Sequence, residues 1–220
     1  RCVPGVLPAG YDFTAVDVRA LRERVSVSNG KLMLPNGASY SVLVLPEGRQ
    51  FTPEGLQVVA DLVRAGATVV GPKPDGTPSR RGGPGADEAV QTLAEAMWGD
   101  DHTASTAGHR FGAGWVFDRV PLGDLLPRLH IAPDFSWTGA GPEDLDYIHR
   151  KFSDGDVYFV INRTLGAVNV ATSFRVAGRT PELWNPENGA RISAPIYRLK
   201  PDRTELPLSL DPNGSVFVVF

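Results

Sequence analysis

Up to about residue 130, apolar positions follow two rhythms: short runs of three or four, and longer stripes at helical spacing. Val16, Val18, Leu21 and Val25 mark a first helix within AVDVRALRERV, with Thr14 as its N-cap. VSVSNGKLML then reads as two short strands about Asn29-Gly30, a dipeptide suited to the tight turn of a hairpin. Asn36-Gly37 marks another turn. The run Val42–Leu45 is followed by Thr52, an N-cap, and Pro53, a residue suited to the first helical position. Leu56, Val59, Ala60 and Val63 continue at helical spacing to Gly66, and Thr68–Gly71 is the next strand. Strand, helix and strand over so few residues predict a parallel pair. A second amphipathic helix is predicted over Asp87–Trp98, a short strand over 115–118 and a short helix over Pro121–Leu129.

The period then changes to two. YIHRKF, VYFVINR, VNVATSFRV and ELW alternate with turn-rich segments such as Ser153–Asp156 and Asn185–Gly189. Weaker strands are predicted at 192–199, 204–208 and 215–220. Strands repeating about every 8–12 residues between turn signals characterise a β-sandwich. The expected organisation is α/β followed by all-β: a domain at 11–130, a linker at 131–143 and a β-sandwich at 144–220.

Composition narrows the function classes. The 220 residues are 42% hydrophobic and 21% charged, ordinary values for a chain that can bury a core. A net charge of −3 provides no electrostatic basis for nucleic acid or an anionic membrane as partner. The apolar runs are strand-sized, too short for a membrane-spanning helix. The single cysteine, Cys2, rules out an intrachain disulfide and a cysteine-based metal site. Arg1 in place of Met and the closing apolar run VFVVF lead to the expectation of a piece of a longer polypeptide.

The junction VLVLPEGRQFTPEGLQ (42–57) lies where open α/β sheets bind ligands, outside the carboxyl end of a strand. A phosphate cradle there would need several converging backbone N–H groups, but the turn has one glycine and Pro53 removes a donor. Cys2 precedes the first helix, and no G-x-S-x-G elbow occurs, so no nucleophile is expected. Glu47 and Arg49 are expected to be solvated or interface charges. His102, His109, His130 and His149 show no H-E-x-x-H spacing, and no metal or cofactor is expected. His149 differs from the others in lying on a strand, where it shares a face with Tyr147 and Lys151. The strand pair around His149, Arg150 and Asn162 is the candidate for substrate contact. Trp137, Tyr147, Tyr158, Phe159, Trp184 and Tyr197 include candidates for a sugar platform, although most are expected in the core.

The order of segments carries a resemblance. The run LPAGYDFTAVDVRALRERVSVSNGKLMLPNGASYSVLVLPEGRQFTPEGLQVVADLVRAGATVVGPKPDGTPS resembles the glutamine-amidotransferase-like domain that follows the catalytic barrel in glycoside hydrolase family 106, the α-L-rhamnosidase family. AEAMWGD, PLGDLLPRLHIAPDF, YIHRKFSDGDVYFVINRT, FRVAGRTPELWNPENG and GSVFVVF extend it over essentially the whole chain. The resemblance implies a flavodoxin-like or amidotransferase-like parallel-sheet domain plus a C-terminal β-sandwich. It implies an acid pair in a preceding (β/α)8 barrel, which needs about 200 residues or more of its own. No catalytic residue is therefore carried over to this chain. The expected role is support of the barrel, with the rest of the parent polypeptide as partner. Carbohydrate binding or homo-oligomerisation is the alternative.

Overall fold

The computed structural model describes residues 7–78, 83, 85–99, 107–118 and 120–220. Cys2 and His102 lie outside the described residues. The described residues are mostly β, with four sheets and four helices, and divide into two compact units: one of Leu7 with Thr14–Ile131, the other of Pro8–Phe13 with Ala132–Phe220.

The first unit begins with α1 (Val18–Arg24). Its N-cap is Asp17, whose carboxylate accepts from Ala20 N–H at 2.7 Å. Thr14, the cap expected from the sequence, instead bonds the Tyr40 hydroxyl through its own hydroxyl. Only Leu21 of α1 is buried, and Val16 and Val18 are exposed, so one turn of the expected helix is missing. β1 (Ser26–Ser28) and β2 (Lys31–Met33) form the expected hairpin. Asn29 and Gly30 are both at positive φ, as a two-residue turn of this hand requires. β3 (Ser39–Tyr40) completes this antiparallel sheet.

β4 (Leu43–Val44), α2 (Pro53–Arg64) and β5 (Thr68–Val70) make the expected parallel unit. Thr52 Oγ1 accepts from Gly55 N–H, Pro53 starts the helix and Gly66 at φ 117° ends it. Leu56, Val59 and Val63 are fully buried on the inner stripe of α2, each worth about 1.5–3 kcal/mol. α3 (Ala86–Trp98) packs on α2 through Val90, Ala94 and Met97. β6 (His109–Phe111), β7 (Gly114–Phe117) and α4 (Leu122–Arg128) follow. The sheet order is β4-β5-β7-β6, parallel except for β6.

The second unit encloses one core between two antiparallel sheets. The stretch expected as a linker contains β8 (Phe135–Thr138), paired with β11, and Phe135 is fully buried. The Pro and Gly residues around that strand obscured a segment of only four residues. β9 (Leu145–Lys151), β10 (Asp156–Asn162) and β11 (Val168–Phe174) are the long strands. β12 (Glu182–Trp184), β13 (Arg191–Ser193), β14 (Arg198–Leu199), β15 (Thr204–Leu210) and β16 (Ser215–Val219) complete the unit. The sheets run β13-β12-β16-β10-β9 and β14-β15-β11-β8. Tyr158, Phe135 and Phe174 form the aromatic centre, with Phe135–Phe174 centroids 4.8 Å apart. Gly10, from the amino-terminal segment, accepts a bond from the Tyr147 hydroxyl and adopts φ 87°. A Cβ there would lie 2.0 Å from the Phe135 carbonyl oxygen, so only glycine allows this approach.

Candidate functional site

Period-two alternation decides which side chains of β9 and β10 meet. Asp156, Tyr158, Val160 and Asn162 are buried, while Val157, Phe159 and Ile161 face outward. His149 pairs with Tyr158 across the hairpin and stacks on its ring at 4.0 Å and 11°. Its Nε2 is 2.8 Å from Asp156 Oδ1, and its Nδ1 is 2.9 Å from Asp134 Oδ2. Asp134 immediately precedes β8, so His149 is bonded to a residue of each sheet. Arg175, immediately after β11, donates from Nε and Nη2 to Asp134 Oδ1 at 3.0 and 2.8 Å. The Tyr158 hydroxyl donates to the same oxygen at 3.3 Å.

With a carboxylate at each ring nitrogen, both nitrogens donate and the ring is an imidazolium. Burial opposes that charge, but Asp134 and then Asp156 outweigh it and raise the His149 pKa. Burial would likewise raise the Asp134 carboxyl, yet His149 and Arg175 hold it below the ordinary range. Burial, and then the Asp134 charge, push the Tyr147 and Tyr158 hydroxyls upward, so both remain protonated donors.

This arrangement leaves little for catalysis. A glycosidase acid pair holds the scissile bond between its carboxyls. Here His149 occupies the space between Asp134 and Asp156. Nor do the three side chains surround a common point, and among the described residues no group of His, Cys, Asp or Glu is arranged to hold a metal ion. The cluster joins the two sheets.

The other residues singled out from the sequence fall in separate places. Arg150 is exposed on the opposite face of β9, and its Nη1 lies 3.4 Å from the His149 carbonyl oxygen. Asn162 is fully buried at the far end of β10. Its amide donates to the carbonyls of Gly166 and Asp211, and its oxygen accepts from Thr164 N–H and Oγ1. His149 and Arg150 are thus neighbours on opposite faces, and Asn162 belongs to a turn network. Asp134, Asp156 and Arg175 were missed because they stand in turns or strand ends, with no local periodicity to relate them. The hairpin register about Ser153–Asp156 was the available signal, since it sets His149 opposite Tyr158 and near Asp156.

In the first unit the 42–57 junction is closed by its own neighbours. Arg49 Nε donates to the Lys73 carbonyl at 3.0 Å and lies 3.4 Å from Asp75. The Trp98 indole donates to the Gly71 carbonyl, and Lys73 Nζ to that of Gly99. Glu47 is exposed. His109 Nδ1 bonds the Met97 carbonyl at 2.8 Å. His130 is a helix-end residue at φ 56°.

The second unit thus holds two sheets about an aromatic core and an ionic cluster, and the first a largely parallel α/β sheet. The chain belongs to glycoside hydrolase family 106, whose model, described as alpha-L-rhamnosidase, matches residues 3–198. It is similar to the rhamnosidase from Novosphingobium sp. PP1Y, with 32% identity and a TM-score of 0.87, over 97% of this chain and 20% of that one. A relative from Formosa agariphila, named a putative beta-glucuronidase, is 31% identical over 99% of this chain and 18% of its own length. A GH42 beta-galactosidase from G. stearothermophilus shares the fold alone, at 12% identity and a TM-score of 0.51, over 82% of this chain and 32% of that one. The chain therefore spans about a fifth of the length of its rhamnosidase and glucuronidase relatives.

Proposed function

We propose that this chain is a non-catalytic, C-terminal support region of an α-L-rhamnosidase-like glycoside hydrolase, holding a catalytic barrel that lies elsewhere in the parent polypeptide. The closed Asp134–His149–Asp156–Arg175 cluster carries the reading. Its aspartates are buried and bond His149, while the 57% exposed Arg175 turns its guanidinium onto Asp134. The family match and the one-fifth coverage support parentage in a longer hydrolase. The domain division belongs to the same proposal, as does an amidotransferase-like, flavodoxin-like origin of the first unit. The parallel β4–α2–β5 unit and its capped junction support that origin.

The alternative reading is a carbohydrate-binding module, in which Arg150 is the residue to meet sugar because it is exposed, whereas His149 is half-buried and Asn162 fully buried. Calorimetry with rhamnose-containing oligosaccharides tests this, and the absence of heat at millimolar sugar overturns it. The main reading is tested by hydrolysis of aryl α-L-rhamnosides by the chain alone and by its parent polypeptide. Aryl β-glucuronides form a second arm, given the name of the Formosa relative. The chain alone is expected to be inert and the parent active; turnover by the chain alone would sink the proposal.

A further inference from the structure

The outward faces of the two sheets in the second unit differ in chemistry. In the four-stranded sheet the outward positions are mainly polar: Ser136 and Thr138 on β8, Asn169 and Ser173 on β11, Glu205 and Ser209 on β15. That is the usual pattern for a solvated face.

The five-stranded sheet breaks it. Strand register aligns Ile148, Phe159, Phe217, Trp184 and Arg191 in one row across β9, β10, β16, β12 and β13. Phe159 and Phe217 touch, with centroids 4.6 Å apart. Val157 and Val219 form the next row, flanked by Arg150 and Glu182. Ile148 is 49% exposed, and Phe159, Phe217, Val157, Val219 and Trp184 are partly buried with their outward edges accessible. An apolar strip with charges at both ends is the anatomy of a protein interface.

Resting on the proposed parentage, we infer that this face is the docking surface for the portion of the parent hydrolase that lies outside this chain. Two observations favour that occupant. About four-fifths of the rhamnosidase and glucuronidase relatives' length lies beyond the matched region, so a large partner surface belongs to the same polypeptide. A sugar is disfavoured because the Arg191 guanidinium covers the Trp184 ring at 3.9 Å, and the Phe159 and Phe217 rings are tilted by 38°. No flat, open aromatic platform is left.

The test places a photo-cross-linking residue, p-benzoylphenylalanine, at Phe159 in the parent polypeptide, with Ile148 as a second site. Leu165, 89% exposed in the β10–β11 loop, is the control position. Irradiation followed by peptide mass spectrometry is expected to join positions 159 and 148, and not 165, to peptides outside this chain. Three outcomes overturn the inference: no cross-link at 159 and 148, a cross-link to the same face of a second copy, or a cross-link lost on adding rhamnose-containing oligosaccharide. Activity assayed on the same preparation separates the two ideas. An active parent with an unlinked face refutes the docking surface alone, whereas an inactive folded parent refutes the parentage.

Discussion

Replacing His149 with leucine keeps much of the volume but removes both donors from a buried carboxylate pair. Removing one partner of a buried charge pair costs about 3–5 kcal/mol. The His149 side chain is 16% accessible and Asp134 keeps Arg175, which favours the lower end, about 3 kcal/mol. In a domain of about 100 residues this corresponds to a Tm drop of roughly 12–24 °C in the transition of the second unit. The pH dependence is a second signature. An unfolded histidine titrates near pH 6.5, and the folded His149 value lies above it. Its contribution is therefore complete below about pH 6.5 and is lost as pH rises through the folded value. Asp134 behaves oppositely: its contribution is complete above about pH 3.9 and is lost as pH falls through its lowered folded value. Urea melts of both proteins across this range, followed by circular dichroism, test the argument. His149→Leu is expected to be less stable and to lack the alkaline decline seen with histidine. A cost below about 1 kcal/mol, or an unchanged alkaline decline, would refute the ionic staple.

Three further substitutions probe other parts of the account. Asn162→Ala removes the buried amide that bridges the Gly166 and Asp211 carbonyls and accepts from Thr164, and is expected to cost about 1–3 kcal/mol in urea melts of the second unit. Gly114→Ala would set a Cβ 2.2 Å from the Ala67 carbonyl oxygen and 2.4 Å from that of Val63, and is expected to lower first-unit stability by about 1–3 kcal/mol in the same melts. Arg150→Ala, on an exposed face, is expected to change stability by no more than about 0.5 kcal/mol while abolishing any calorimetric heat with rhamnose-containing oligosaccharide.

Local signals made much of the fold legible. Thr52-Pro53 and Gly66 bracket α2 because caps and left-handed stops are set by the residues themselves. Asn29-Gly30 specifies its hairpin for the same reason. Thr14 misled because Asp17 is the better cap, accepting from the N–H three residues on, while Tyr40 engages the threonine hydroxyl from 26 residues away. β8 was hidden because its place in the sheet depends on β11, more than 30 residues downstream. The candidate site was half legible. His149 stood out as a strand histidine, but Asp134, Asp156 and Arg175 reach it through register and sheet packing that no short window contains. The outward apolar row was equally hidden, since it joins five strands whose order differs from their order in sequence.

The central claim is that this chain supports a catalyst located elsewhere in its parent. Hydrolysis of an aryl α-L-rhamnoside by the isolated chain and by the parent polypeptide, at equal molar concentration, tests it most directly. The account predicts release of the aryl alcohol by the parent and none above buffer with the chain alone. Turnover by the isolated chain that disappears in His149→Leu while the fold is retained would contradict it.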